Sequence, residues 1–92
     1  MNNSYALITG ASSGIGLEIA NYLAGKGYNL ILTARREDIL DEASKNISEK
    51  HKVKVDFIAS DLGDADAPNK IFNYCEDNNY EVDILVNNAG YG

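Results

Sequence analysis

The chain has 92 residues, 45% hydrophobic and 24% charged, a composition that supports one small globular domain and excludes disordered or collagen-like chains. A formal net charge of −6 with no long basic run argues against nucleic acid or an anionic membrane surface as the partner. A single cysteine excludes an internal disulfide and fits a reducing compartment, and with no signal peptide or membrane span readable a cytoplasmic location is expected.

Apolar runs alternate with stretches of helical periodicity. Tyr5–Thr9 is predicted as a first strand. After a glycine-rich stretch, a helix is expected from Ile15 to Ala24, with Ile15, Ile19, Tyr22 and Leu23 on one face and Gly25 and Gly27 as stop signals. Asn29–Thr33 is a second strand. A helix from Glu37 to Lys50 follows, its stripe formed by Ile39, Leu40, Ala43 and Ile47. In Val53–Ile58, the residues Val53, Val55 and Phe57 alternate with Lys54 and Asp56, the pattern of an outer strand. Asp64–Pro68 reads as a helix entrance, because aspartate caps free N–H groups and proline is tolerated in a first turn. That helix is expected to reach Asn78, with Ile71, Phe72 and Cys75 inward. Val82–Val86 is the fourth strand. Cys75 reads as a small buried hydrophobe and His51 as a surface residue without ligand-spaced neighbours, so no metal is expected. Such alternation gives an α/β fold built on a parallel sheet with right-handed crossovers.

Gly10-Ala11-Ser12-Ser13-Gly14-Ile15-Gly16 joins the first strand to the first helix. In a doubly wound sheet this loop lies at the carboxyl ends of the strands, where ligands bind. The helix start offers backbone N–H groups and the positive end of the helix dipole, a place for a pyrophosphate. Gly10 permits the tight turn, Gly14 lets backbone approach phosphate, and Gly16 lets the helix pack close to the strand. The hydroxyls of Ser12 and Ser13 add hydrogen bonds to phosphate or ribose. The spacing is G-x-x-x-G-x-G, and no Lys-Ser/Thr follows it, so it is not a P-loop.

At the end of the second strand the sequence reads Leu32-Thr33-Ala34-Arg35-Arg36. Domains that prefer NAD place a carboxylate near this position to hold the ribose 2′-hydroxyl. A carboxylate repels a 2′-phosphate, whereas a guanidinium attracts it and bonds it through two N–H groups. Ala34 followed by Arg35 and Arg36 therefore favours NADP over NAD. Two further loops reach the same edge: Ser60-Asp61-Leu62 and Asn87-Asn88-Ala89-Gly90. Asp61 is placed to accept a hydrogen bond from an adenine amino group, and Asn88-Ala89-Gly90 to pass close to a ribose.

In combination, T-G-A-S-S-G-I-G at Thr9–Gly16, D-L at Asp61-Leu62 and N-N-A-G at Asn87–Gly90 resemble the short-chain dehydrogenase/reductase family. The resemblance covers the whole chain. It implies a Rossmann-type sheet of order 3-2-1-4. It also implies NADP binding through Gly10, Ser12, Ser13, Gly14, Ile15 and Gly16 at the pyrophosphate and ribose. Arg35 would take the 2′-phosphate, Asp61 and Leu62 the adenine, and Asn88, Ala89 and Gly90 the adenosine ribose. The implied chemistry is hydride transfer between the nicotinamide and a carbonyl or alcohol carbon. The family's serine and Tyr-x-x-x-Lys lie downstream of N-N-A-G, so residues 1–92 are expected to be a cofactor-binding half-domain, inactive alone. The alternative is a nucleotide-binding module without chemistry. An open apolar edge at the fourth strand is expected to favour self-association.

Overall fold

The computed structural model describes residues 4–12, 14–60 and 67–88. Among the described residues four strands and three helices alternate: β1 (Ser4–Thr9), α1 (Gly14–Gly25), β2 (Asn29–Ala34), α2 (Glu37–His51), β3 (Val55–Ala59), α3 (Ala67–Asp77) and β4 (Glu81–Asn87). All strand pairs are parallel, and the order across the sheet is β3-β2-β1-β4. This is the predicted doubly wound, Rossmann-type arrangement. Every strand has its carboxyl end at one edge of the sheet.

One sheet face is closed by α1 and α2. Ala6 and Ile8 of β1, Leu30, Leu32 and Ala34 of β2, Ala20 and Ala24 of α1, and Leu40, Ala43 and Ile47 of α2 form this cluster. The other face carries α3, whose Ile71 and Cys75 pack with Tyr5 and Ile31. Cys75 is buried as expected, and desolvation pushes its thiol pKa up, which suits an inert side chain. All of β2 is buried because it has a strand on each side and helices on both faces.

The apolar stripe of α1 differs from the expected one. Ile15 and Tyr22 are exposed, and the buried positions are Gly16, Ala20 and Ala24, with Leu17, Ile19 and Leu23 packed partly against the core. The physical reason is proximity. A Cβ on Gly16 would lie 2.6 Å from the Gly10 carbonyl oxygen and 3.0 Å from the Ala11 Cα. Only small residues fit a helix held that close to the loop below it.

On α3, Phe72 is 61% exposed rather than inward, since Ile71 and Cys75 already occupy the i, i+4 contact line. The expected entrance to this helix at residues 64–66 lies outside the described residues. On α2, Ser44 joins the buried stripe by donating its hydroxyl to the Asp41 carbonyl, while Ile39 is only half-buried. His51 is half-buried too, its Nε2 lying 3.3 Å from Asn21 Oδ1 of α1.

The strand β3 is an outer strand, with Val55 and Phe57 toward the α1/α2 cluster and Ile58 toward the other. At the opposite edge, β4 leaves Leu85 63% exposed. Near the amino ends of the strands, Tyr80 stacks on Tyr5 at 4.1 Å between ring centroids and donates its hydroxyl to the Asp56 carboxylate. That hydrogen bond ties the entry to β4 to the far strand β3. Among the described residues no helix is long and apolar enough to cross a membrane.

Candidate functional site

The glycine loop begins with a change of hand. Gly10 has φ 64°, a left-handed conformation open to glycine at no steric cost. The chain turns there off β1, and Ala11, fully buried, donates its N–H to the Thr33 carbonyl of β2 at 3.1 Å. The loop is thereby pinned to the neighbouring strand before α1 begins.

The start of α1 has two properties that matter for a ligand. Its first turn carries no acidic residue. Among the described residues, a Cβ built on Gly14 meets no atom within 4 Å beyond its own helix and chain neighbours. The positive end of the helix dipole is thus not neutralised by a carboxylate from its own first turn.

Residue Asn88 closes the other side of the crevice. Its Nδ2 donates to the Gly10 carbonyl at 3.2 Å, and its backbone N–H donates to Thr9 Oγ1 at 2.9 Å. The Thr9 hydroxyl in turn donates to Asn87 Oδ1 at 3.1 Å. Here Gly16 acts a second time, because a Cβ on it would lie 3.1 Å from Asn88 Nδ2. Thr9 is a site-building residue that sequence reasoning left as the last residue of a strand. The expected order 3-2-1-4 already put β1 beside β4; what it left open was the register that sets Thr9 opposite Asn87.

Beyond β2, Arg35 and Arg36 are both exposed. Among the described residues no hydrogen bond or ion pair engages the Arg35 side chain. Arg36 differs: its Nε and Nη2 donate to the two carboxylate oxygens of Asp38 at 3.3 and 3.1 Å. This hydrogen-bonded pair lifts the Arg36 pKa and lowers that of Asp38 from the ordinary carboxylate value.

Another feature missed in the sequence is Thr33, fully buried near the end of β2, whose hydroxyl has no hydrogen-bond partner among the described residues. Such an orphan costs about 1–3 kcal/mol.

Of the residues singled out in the sequence, Gly10, Ser12, Gly14, Ile15, Gly16, Arg35, Arg36 and Asn88 all lie on the loops or helix starts at this carboxyl edge. Ser13, Asp61, Leu62, Ala89 and Gly90 lie outside the described residues. One Tyr-x-x-x-Lys spacing does occur, at Tyr22–Lys26. It lies over two turns along α1 from Gly14, on the exposed face, with Lys26 Nζ 5.4 Å from the Tyr22 ring centroid. That is a cation–π pair on a helix surface, remote from the sheet edge.

The chain is similar to known proteins over its whole length. The family model for short chain dehydrogenases matches residues 4–92. The very-long-chain 3-oxoacyl-CoA reductase of Candida glabrata is 42% identical over 88 residues, which are 94% of this chain and 24% of that protein. The crystal structure of L-sorbose reductase from Gluconobacter frateurii, complexed with NADPH and L-sorbose, superposes with a TM-score of 0.90 at 38% identity, covering 100% of this chain and 36% of that one. A metagenomic short-chain oxidoreductase in complex with NADP gives 0.87 at 33% identity, covering 100% and 41%. The chain thus spans about a quarter of the length of the curated relatives it matches. The loop that turns at Gly10, the parallel order 3-2-1-4 and the match across residues 4–92 agree: this chain belongs to the short chain dehydrogenase family.

Proposed function

We propose that residues 1–92 are the NADP-binding part of a short-chain dehydrogenase/reductase. The observation that carries this reading is the pairing of two features at one sheet edge. The start of α1 bears no acidic side chain in its first turn, and among the described residues no carboxylate engages Arg35. The first suits a pyrophosphate and the second a 2′-phosphate. The relatives solved with NADPH and NADP support the choice of dinucleotide.

The residues present fit that group. Gly10, Ser12, Ser13, Gly14, Ile15 and Gly16 would hold the pyrophosphate and its ribose. Arg35 would hold the 2′-phosphate, Asp61 and Leu62 the adenine, and Asn88, Ala89 and Gly90 the adenosine ribose. When bound, the nicotinamide supplies or accepts hydride at a carbonyl or carbinol carbon. The chain's own contribution is grip and orientation. The Asn88 amide satisfies the Gly10 carbonyl, so that this oxygen does not confront a phosphate. The Thr9 hydroxyl fixes the Asn88 backbone against β1. None of these groups moves a proton, and the 92-residue chain is expected to transfer no hydride to a ketone.

Titration with NADPH and NADH tests the reading. NADPH is expected to bind at least about tenfold tighter, the worth of a charge-assisted hydrogen bond, and Arg35→Gln is expected to abolish the difference. Equal affinity of the unaltered protein for both dinucleotides would sink it. The exposed Leu85 on the edge strand β4 also supports self-association. Sedimentation is expected to show concentration-dependent dimers that Leu85→Lys removes; a monomer at all concentrations would remove this part of the reading.

A further inference from the structure

We propose that Asp83 sets the register of β4 on β1 and so acts as a positioning residue for Asn88 at the crevice. The use of the crevice rests on the NADP reading above; the register does not.

Six residues of β1 face seven of β4. Ser4 and Tyr5 pair with Glu81 and Val82, then Ala6 to Thr9 pair with Ile84 to Asn87, so Asp83 has no partner on β1. This is a β-bulge, a rare device between parallel strands. The β1–β2 and β2–β3 ladders run without a break.

The bulge reconciles two anchors. At the amino end, Tyr80 stacks on Tyr5 and donates its hydroxyl to Asp56 on the α3 face of the sheet. At the carboxyl end, Thr9 holds Asn87 and Asn88, and Asn88 reaches the Gly10 carbonyl. Side chains alternate between faces along a strand, and a slip of one residue exchanges them. Tyr80 and Asn87 are an odd number of positions apart, so a regular strand cannot keep both on one face.

Two regular registers compete with the bulge. Extending the carboxyl-end pairing back sets position 83 opposite Tyr5, which is 4% exposed. Extending the amino-end pairing forward sets it opposite Ala6, in the place that Ile84 now holds, half-buried against the α1/α2 cluster. Each presses a carboxylate against apolar neighbours. In the bulge Asp83 is exposed, and among the described residues no hydrogen bond or ion pair engages its side chain. An unpaired charge taken from water costs more than the ladder bonds a bulge gives up. Asp83 therefore excludes both slips by its charge alone. The other residues from Val82 to Val86 are all apolar and accept either face.

An apolar residue at position 83 removes that barrier. The amino-end anchor is held by the buried Tyr5 ring and by the Tyr80 N–H, which donates to the Cys75 carbonyl of α3 at 3.0 Å, so it keeps its register. The rest of β4 then advances by one residue, about 3.3 Å, and carries Asn88 out of reach of Thr9 and Gly10.

The test reads two quantities on labelled protein: cross-strand NOE contacts between β1 and β4, which report the register, and NADPH affinity. Asp83→Val is expected to replace the Thr9–Asn87 contact by Thr9–Val86 and to weaken NADPH about tenfold, the worth of two neutral hydrogen bonds. Asp83→Asn, still too polar to bury without a partner, is expected to keep the register and to bind within about twofold of the unaltered protein. Deletion of Asp83 is expected to do less harm than its replacement by valine. Val82 then runs directly into Ile84, both sets of pairs close into one regular ladder, and Thr9 stays opposite Asn87, with affinity again within about twofold. Should Asp83→Val associate through its more apolar strand, Asp83→Thr gives the same readout in a soluble form. A Thr9–Asn87 contact that survives in both Asp83→Val and Asp83→Thr would overturn the proposal, as would its loss on deletion. A slipped register with unchanged NADPH affinity would overturn the positioning role. If the unaltered protein binds no NADPH, the nucleotide reading fails, and the NOE contacts still decide the register.

Discussion

Helices α1 and α2 both begin where a parallel strand ends, at the same edge of the sheet, and their first turns are built for different purposes. The first turn of α1 carries no acidic side chain, and among the described residues a Cβ on Gly14 would meet no atom within 4 Å. The first turn of α2 carries Glu37 and Asp38, and Asp38 is bonded to the arginine that caps it. The contrast continues along their lengths. The core-facing positions of α1 are Gly16, Ala20 and Ala24, whereas α2 buries Leu40 and Ile47. One helix is held close to the sheet by small residues and leaves its positive end without a carboxylate in its first turn. The other is anchored by large residues and neutralises its own. The parallel topology makes every helix start at this edge an anion site in principle; the first-turn side chains decide which of them remains one.

Four variants test this division of labour, in descending order of expected effect. Leu40→Ala removes a fully buried anchor of α2 and should cost about 2–5 kcal/mol in denaturant unfolding. The fraction still folded should bind NADPH with unchanged affinity; weaker binding per folded molecule would show that α2 does more than anchor. Gly16→Ala places a methyl against backbone, 2.6 Å from the Gly10 oxygen, and should cost about 1–3 kcal/mol together with most nucleotide affinity. Equal stability and binding would mean that the close approach of α1 has no function.

Next is Gly14→Ala, whose methyl meets no protein atom. Stability should stay within about 0.5 kcal/mol while NADPH affinity falls about tenfold, because the methyl takes space meant for the ligand. A loss of stability instead of affinity would reverse that assignment.

The smallest effect belongs to a site remote from both helix starts. Tyr80→Phe removes the hydroxyl bonded to Asp56 and should cost about 1 kcal/mol without altering selectivity. It carries a pH signature. Burial, then the Asp56 bond, raise the Tyr80 pKa above the ordinary 10.0, so the folded state favours the neutral phenol. Its stability is complete below that pH and declines as pH rises beyond it. Tyr80→Phe should flatten the alkaline decline, and an identical pH profile in the variant would count against the assignment.

Much of the architecture was legible in the residues. Strand and helix alternation produced the parallel sheet, and the quoted motifs carried the family and the order of strands. What failed was the face of α1, where helical spacing put Ile15 and Tyr22 inward. Periodicity weighs size and apolarity, and α1 turns a lane of small residues to the sheet because the loop below leaves no room for larger ones. Phe72 failed for a related reason, since Ile71 and Cys75 complete the contact line without it. The paired arginines looked equivalent because their difference depends on Asp38 lying two residues beyond, within reach only once α2 has begun. The expected strand order brought the loops of Thr9 and Asn88, 79 positions apart, to one crevice, but the bond between them depends on a register that pattern does not specify.

That separation has a consequence for how the molecule assembles. β1 meets β2 after a connection of about twenty residues, but meets β4 only when nearly the whole chain has returned. Closing the longer loop costs about 1 kcal/mol more in chain entropy, and β4, an edge strand with an exposed outer face, recovers less of it by burial. The crevice is therefore expected to be finished late in folding and to open early in unfolding. In amide exchange, β4 should lose protection before β2, and a nucleotide spanning Gly10 and Asn88 would act as a clasp across the two ends of the chain.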